Sequence, residues 1–166
     1  MTSGRIGKQP TPSALDRWMP IAVRHLARRD RTVAHVERFL AHKGATTSEV
    51  RAIVTRLSQL RYLDDRAYSD RWIETRLARY PVGRARLEAE LLAHGVAEAL
   101  ASQAIREALR GLDEETLARR ALSMMRRAGR RVTPGQAMRL LRQRGFEDET
   151  VERIIRGLLD REDLDR

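Results

Sequence analysis

The feature that most constrains the fold is a repeat of about fifty residues. Gly44, Gly95 and Gly145 lie 51 and 50 residues apart, and the segments around them align without gaps. A leucine lies four residues before each glycine, a basic residue directly before it, and apolar residues six, nine and ten residues after it. Because these apolar positions have helical spacing, the repeat predicts one structural unit used three times.

Each repeat is interpreted as two helices, a glycine turn and a third helix. The glycine follows the middle helix, where a left-handed residue closes the C-terminus. The basic residue before it, Lys43, His94 or Arg144, then lies in the last helical turn, where a positive charge suits the helix dipole. This spacing favours an architectural interpretation of the three side chains as helix-end charges.

Capping signals support the helix starts. Thr46 with Glu49 and Thr133 with Gln136 have capping-box spacing, and Pro134 falls at a first helical position. The helices are therefore expected near residues 13–28, 32–43, 47–61, 65–79, 83–94, 97–110, 114–128, 134–144 and 149–162.

The predicted fold is all-α, with three tandem three-helix repeats forming an elongated, curved helical array. We expect a disordered lead-in at 1–12 and repeats at 13–63, 64–111 and 112–166, the last with an acidic tail. Pro20 is expected to mark a helix start or a kink, since proline disrupts a helix interior.

Composition limits the classes of function. The chain has no cysteine and no apolar run near the ~20 residues of a membrane span, which predicts a cytoplasmic protein without membrane contact. Its net charge is +10, of which residues 1–64 carry +7. This excess indicates an anionic partner, although an arginine-rich coding bias is an alternative source of the total charge.

No catalytic or metal-binding pattern is present in the sequence. The four histidines are not joined by cysteines or a clear carboxylate set, and no glycine-rich phosphate loop or nucleophile elbow occurs. We therefore predict a binding protein rather than an enzyme, with no cofactor and no metal.

Arginines cluster where the first two helices of each repeat join, and we expect them to be exposed and to contact the partner. Planar guanidinium groups suit bidentate contacts with phosphate or carboxylate. The candidate partner-binding residues are Arg28, Arg29, Arg31, Arg38, Lys43, Arg76, Arg79, Tyr80, Arg84, Arg86, Arg126, Arg127, Arg130 and Arg131. Tyr80 could stack on a base or pack into a partner, but partial burial against Pro81 is the favoured interpretation.

Two stretches carry a family resemblance. IAVRHLARRDRTVAHVERFLAHKG resembles the opening unit of the RecX regulatory proteins, and YLDDRAYSDRWIETRLARYPVGRARLEAELLAHGV resembles their second unit. The match covers roughly residues 14–160, is loosest in the third repeat, and places His35 where the family often has an acidic residue. The resemblance implies tandem three-helix repeats that bind the RecA recombinase filament on DNA and limit its growth, ATP hydrolysis and strand exchange.

The principal hypothesis is a monomeric, non-enzymatic RecA regulator that binds single- or double-stranded DNA weakly when alone. An alternative is a helical nucleic-acid-binding module that acts without RecA, and a third is a scaffold between proteins. Direct binding to DNA with a steep salt dependence distinguishes the nucleic-acid module from the other two.

Overall fold

The computed structural model describes residues 13–127 and 132–164, and these form nine helices. The helices are α1 (Ala14–Leu26), α2 (Val33–His42), α3 (Thr47–Gln59), α4 (Asp65–Arg79), α5 (Arg84–Ala93), α6 (Glu98–Ala108), α7 (Glu114–Arg127), α8 (Pro134–Gln143) and α9 (Asp148–Leu164). The all-α prediction is confirmed, and each predicted end lies within two residues of the observed one. The predicted lead-in, 1–12, lies outside the described residues. None of the described helices has the length and apolar character of a membrane span.

Four helices begin with a capping box. Ser13, Thr32, Thr46 and Thr133 each accept a hydrogen bond from the backbone three residues later, and the side chain at that position accepts one in return. In α2 that side chain is His35, whose Nδ1 accepts from the Thr32 N–H at 3.2 Å. An imidazole nitrogen therefore performs there the capping task that a carboxylate performs in α1 and α3.

The three repeat glycines close their helices in the same way. Their φ angles are positive: 95° at Gly44, 81° at Gly95 and 75° at Gly145. Each glycine N–H donates to the carbonyl three residues earlier, and the following N–H donates to the carbonyl five residues earlier. This is the paired hydrogen-bond pattern of a Schellman turn, and it confirms the left-handed closure predicted from the spacing.

Pro20 does not start a helix, so that part of the expectation is wrong, and the expected kink stays a prediction. The first helix continues through it from Ala14 to Leu26. Pro20 is exposed, whereas Trp18 is 2% exposed and Ala22 is fully buried on the opposite face. Burial of that face offsets the loss of one intrahelical hydrogen bond at the proline.

The chain divides between Asp64 and Asp65 into two compact units. In the first unit, α1 and α2 both pack against α3. Its core contains Trp18, Ala22, Val36, Leu40, Val50, Ile53, Leu57 and Leu63. These apolar positions follow the helical period of the repeat, which is why one face of each helix is buried.

The second unit holds two core clusters, one for each remaining predicted repeat. The first includes Tyr68, Ile73, Leu87, Leu91 and Ile105 among its members. The second is formed by residues between Leu117 and Ile155, and the partly buried Leu109 packs against both clusters. One core per predicted repeat is compatible with the threefold division, whose boundaries stay a prediction.

Two glycines allow the two clusters of the second unit to approach backbone to backbone. The Gly83 N–H donates to the carbonyl of Arg144 at 2.9 Å. A Cβ atom on Gly83 would lie 2.0 Å from the carbonyl oxygen of Gly145, and one on Gly145 would lie 2.5 Å from the backbone nitrogen of Arg86. No side chain larger than hydrogen fits either position without movement of the backbone.

Candidate functional site at the arginine-rich joints

The first joint, between α1 and α2, presents two freely accessible guanidinium groups. Arg28 and Arg29 are exposed, and neither has a carboxylate partner within salt-bridge distance among the described residues. Arg31 is half-buried, so the expectation that it would be exposed is wrong. Arg28 and Arg29 are therefore the accessible charges of this joint.

An imidazole lies beside this joint and responds to its charge. The ring of His25 stacks on Phe39, with centroids 3.7 Å apart and planes 4° from parallel. Burial and then the positive charges of the three joint arginines lower the pKa of His25 from its ordinary value. The fold thus favours the neutral form of His25.

Two further predicted contact residues lie on or just after α2, and both are exposed. The Arg38 Nε donates to the carbonyl of Ala34 at 3.2 Å, and Lys43 Nζ lies 5.8 Å from the centroid of the Phe39 ring. Arg38 and Arg51 flank a depression of about 400 Å³ between α2 and α3. This face of the first unit is accordingly basic and open.

The second joint, between α4 and α5, contains four exposed candidates: Arg79, Tyr80, Arg84 and Arg86. Arg76 is half-buried, so the expectation that it would be exposed is wrong. Tyr80 is 55% exposed, so more than half of its surface is accessible, and the favoured interpretation of packing against Pro81 stays a prediction. The Arg76 Cζ lies over the Tyr80 ring, 5.9 Å from its centroid. Tyr80 therefore has a cation beside its ring and remains an exposed residue.

Arg76 and Arg86 of the second joint share one carboxylate. Arg76 Nε and Nη2 donate to the two oxygens of Glu90 at 2.9 and 3.1 Å, and Arg86 Nε donates at 2.7 Å. Burial raises the pKa of Glu90, but hydrogen bonds from the two guanidiniums outweigh it and hold the pKa below its ordinary value. A single anion therefore fixes the positions of two cations.

The arginine side chains of the third joint belong to the part of the chain that the structure does not describe. The side chains of Arg126 and Arg127, and the whole of Arg130 and Arg131, lie outside the described residues. Their role as contact residues stays a prediction.

The structure adds a residue that the repeat pattern had assigned to architecture. Arg144 closes a cleft of about 290 Å³ in the second unit together with Arg76 and Arg86. Its Nη1 donates to the carbonyl of Pro81 at 3.4 Å. Burial and then the charge of Arg76 lower the pKa of Arg144, and no carboxylate lies within salt-bridge distance of it in the described part of the chain. The sequence did not single out Arg144, because basic residues occupy the same helix-end position in the other two repeats.

The residue equivalent to Arg144 in the second repeat has a packing role instead. Nδ1 of His94 is hydrogen-bonded to the Tyr68 hydroxyl at 2.7 Å. Its ring meets that of Trp72 edge-on, with centroids 4.3 Å apart. His94 therefore belongs to the scaffold of the second unit.

The described residues include no group of three or more histidine, aspartate or glutamate side chains placed to hold a metal ion. Carboxylates at helix starts act locally there. Asp113, for example, accepts hydrogen bonds from the backbone N–H and the hydroxyl of Thr116, which lower its pKa. The arrangement is suited to binding anions through arginine.

Comparison with protein families gives a match between residues 64–105 and the model of the second three-helix domain of RecX. The regulatory protein RecX of Thermus thermophilus is 38% identical over 125 residues, which cover 75% of this chain and 80% of the relative. The RecX proteins of Treponema pallidum and Chlorobaculum tepidum are 32% and 31% identical, over 81% and 90% of this chain and 81% and 91% of theirs.

Solved structures share the fold. The crystal structure of RecX from Lactobacillus salivarius superposes with a TM-score of 0.68 at 19% identity, over 87% of this chain and 96% of that one. A second crystal structure of a regulatory protein RecX gives a TM-score of 0.70 at 20% identity, over 87% of this chain and 73% of the other.

Proposed function

The chain belongs to the RecX family of regulatory proteins, and from that premise we propose that it regulates the RecA recombinase in homologous recombination and DNA repair. It acts in the cytoplasm as a monomer, without catalysis of its own. It binds the RecA–DNA filament and inhibits RecA's ATPase and strand-exchange activities.

One observation carries this proposal: equivalent joints in the first two repeats both present accessible, unneutralised arginines. Arg28 and Arg29 in the first joint and Arg79 and Arg84 in the second are exposed and have no carboxylate partner among the described residues. An exposed guanidinium without a partner keeps its hydrogen-bond donors available for another molecule. Four such groups at repeated positions support a role in contacting an anionic partner.

The distribution of charge supports a contact through the first unit. Residues 1–64 carry a net charge of +7 within a total of +10. A positive surface of this kind accelerates association with a polyanionic assembly and makes binding dependent on ionic strength. We expect the first joint to make a large share of the electrostatic contact with the filament.

The test measures the DNA-dependent ATPase of RecA on single-stranded DNA across a series of concentrations of this protein. The proposal expects inhibition at or below one molecule per RecA. A folded protein that leaves the ATPase rate unchanged at every ratio would refute it.

A pair of double variants tests the joint itself. Arg28→Gln with Arg29→Gln removes two charges from the joint, and Arg56→Gln with Arg61→Gln removes two exposed charges from the end of α3 and the turn after it in the same unit. We expect the first pair to raise the concentration for half-inhibition about tenfold, at roughly 0.7 kcal/mol for each lost contact. The control pair should change it less than threefold, and equal effects would assign the inhibition to net charge alone.

The excess of positive charge also favours a second candidate, a nucleic-acid-binding module that acts without RecA. That candidate expects tight binding to DNA by the isolated chain, with a salt slope of about −0.7 to −0.9 for each phosphate contacted. Inhibition of RecA together with weak DNA binding by the chain alone would exclude it.

A further inference from the structure

We propose that the cleft between Arg76, Arg86 and Arg144 binds a backbone phosphate of single-stranded DNA, and that Tyr80 beside it stacks on a base of the same strand. This inference deepens the proposed function, on which it rests only for DNA being part of the partner. It assigns a ligand to a residue, Arg144, that the repeat pattern had explained by architecture alone.

The charges in the cleft do not balance. Three guanidiniums line it. Among the described residues, Glu90 is the only carboxylate that forms an ion pair with any of these three arginines. Glu90 is fully engaged by Arg76 and Arg86, so Arg144 keeps an uncompensated charge in a partly buried position. An anion that enters the cleft offsets the free-energy cost of holding the Arg144 charge partly buried without a counter-charge.

The guanidinium groups are held in place before any ligand binds. Two hydrogen bonds to Glu90 fix the plane of Arg76, and a third to the same carboxylate fixes Arg86. The backbone of Arg144 is tied to Gly83 and its side chain to the carbonyl of Pro81. Preorganised donors lose little conformational entropy on binding, which favours recognition of a small, multiply charged group.

An accessible aromatic ring lies at the edge of this cleft. Arg76 is both a wall of the cleft and the cation that lies over the Tyr80 ring. Arg76 Nη1 also donates to the carbonyl oxygen of Tyr80 at 3.4 Å, so Tyr80 and the cleft are neighbours. A phosphate site next to an exposed aromatic side chain matches one repeat of a single strand, whose bases are free to stack.

These observations favour phosphate over a carboxylate of an acidic protein surface. One arginine is sufficient to bind a carboxylate in a bidentate manner, as Arg76 already does with Glu90. Three guanidiniums that line one cleft suit a group with more oxygens. A protein carboxylate also gives no reason for the accessible ring of Tyr80.

The test uses a fluorescein-labelled 15-nucleotide oligo-dT and the full chain, with affinity measured by fluorescence anisotropy at several salt concentrations and without RecA. Arg144→Gln should weaken binding about five- to tenfold and make the salt slope shallower by about 0.7, the value for one phosphate contact on a single strand. Arg139→Gln is the matched control, since Arg139 is an exposed residue of α8 that does not line the cleft. It should change the affinity less than twofold.

The aromatic contact has an equally close control. Tyr80→Ala should weaken binding of the oligonucleotide at least fivefold, as expected for the loss of one stacked base. Tyr62, which is 56% exposed against 55% for Tyr80, gives the control variant Tyr62→Ala, with less than a twofold change expected. If Arg144→Gln or Tyr80→Ala has no larger effect than its control, the proposal is wrong.

Two further measurements separate the possible failures. Thermal unfolding of each variant shows whether it is folded. If Arg144→Gln does not fold, Arg86→Gln removes a second, more exposed guanidinium from the cleft and is tested in its place. If Arg144→Gln binds the oligonucleotide normally but binds DNA-free RecA less well, the cleft receives an acidic protein surface, which overturns this inference and leaves the proposed function intact. Weaker oligonucleotide binding by Arg144→Gln, together with a parent chain that leaves the RecA ATPase unchanged, supports the inference and counts against the proposed function.

Discussion

The contact between Gly83 and Gly145 allows a prediction about how the cleft is held together. In Gly83→Ala a methyl group enters a space bounded by the backbone of the turn before α9. The new Cβ would lie 2.0 Å from the carbonyl oxygen of Gly145 and 2.6 Å from the Cα of Phe146. Both atoms belong to the backbone, so no side-chain rotation relieves the clash.

The size of the effect follows from these distances. Ordinary van der Waals contact begins near 3.4 Å, so the two backbones must separate by about 1.4 Å. Overpacking of this kind costs ~1–3 kcal/mol. Separation also breaks the 2.9 Å hydrogen bond from the Gly83 N–H to Arg144, a loss of about 1 kcal/mol. We therefore expect Gly83→Ala to lower the free energy of unfolding by about 2–4 kcal/mol.

Urea denaturation followed by circular dichroism measures the free energy of unfolding, and oligonucleotide binding reports on the cleft. Because Arg144 is tied to Gly83, the variant should also weaken oligonucleotide binding at a temperature where it remains folded. Gly135→Ala is the control: nothing lies within 4 Å of a Cβ at that position in α8, and alanine favours a helix by up to ~1 kcal/mol over glycine. The control should be at least as stable as the parent chain.

The reasoning fails if Gly83→Ala is as stable as Gly135→Ala. That result would mean that α5 and the turn before α9 do not meet backbone to backbone, and that the cleft is not built by this contact. A stable variant with normal oligonucleotide binding would remove the structural basis of the cleft altogether.

Three other perturbations test separate parts of the fold. Because the fold lowers the pKa of His25, the unfolded chain takes up a proton first as the pH falls through 6.5. The stability contributed by His25 is therefore complete above that pH and decreases below it. His25→Gln should reduce the difference in melting temperature between pH 7.5 and 5.5, and an unchanged difference contradicts the assignment. Tyr68→Phe removes the 2.7 Å hydrogen bond to His94 and should cost about 1 kcal/mol in urea denaturation, whereas no measurable loss would show that the bond contributes nothing. Gly44→Ala meets no atom within 4 Å but must hold a φ of 95°, so it should cost ~1–2 kcal/mol through backbone strain alone, and a neutral result would place the turn in another conformation.

Local signals were sufficient to predict the helices. The capping boxes at Thr46 and Thr133 and the left-handed glycines are decided by hydrogen bonds within six residues of sequence, so spacing alone locates them. Pro20 shows where a local rule was insufficient. Its cost to α1 is local, but the burial of Trp18 and Ala22 that offsets it depends on packing against other helices.

The candidate site was predictable as a composition but not as a geometry. The sequence indicated which joints are rich in arginine, and Arg28, Arg29, Arg79 and Arg84 are exposed there. It could not separate these from Arg76, because the partner of Arg76 is Glu90, fourteen residues away on another helix.

The cleft around Arg144 could not be predicted from the sequence for a further reason. It arises only where the second and third repeats meet, through contacts between residues more than sixty positions apart, such as Arg144 and Pro81. A pattern that treats the repeats as equivalent cannot contain that information.

The Schellman turns have a consequence for how such a chain can acquire new binding properties. In all three repeats the turn is closed by backbone groups, and the side chain directly before the glycine takes no part in it. That position is occupied by an exposed lysine, Lys43, by the packed His94 and by Arg144 in the cleft. The fold thus offers three copies of one site at which the chemistry of the side chain can change while the path of the main chain is preserved.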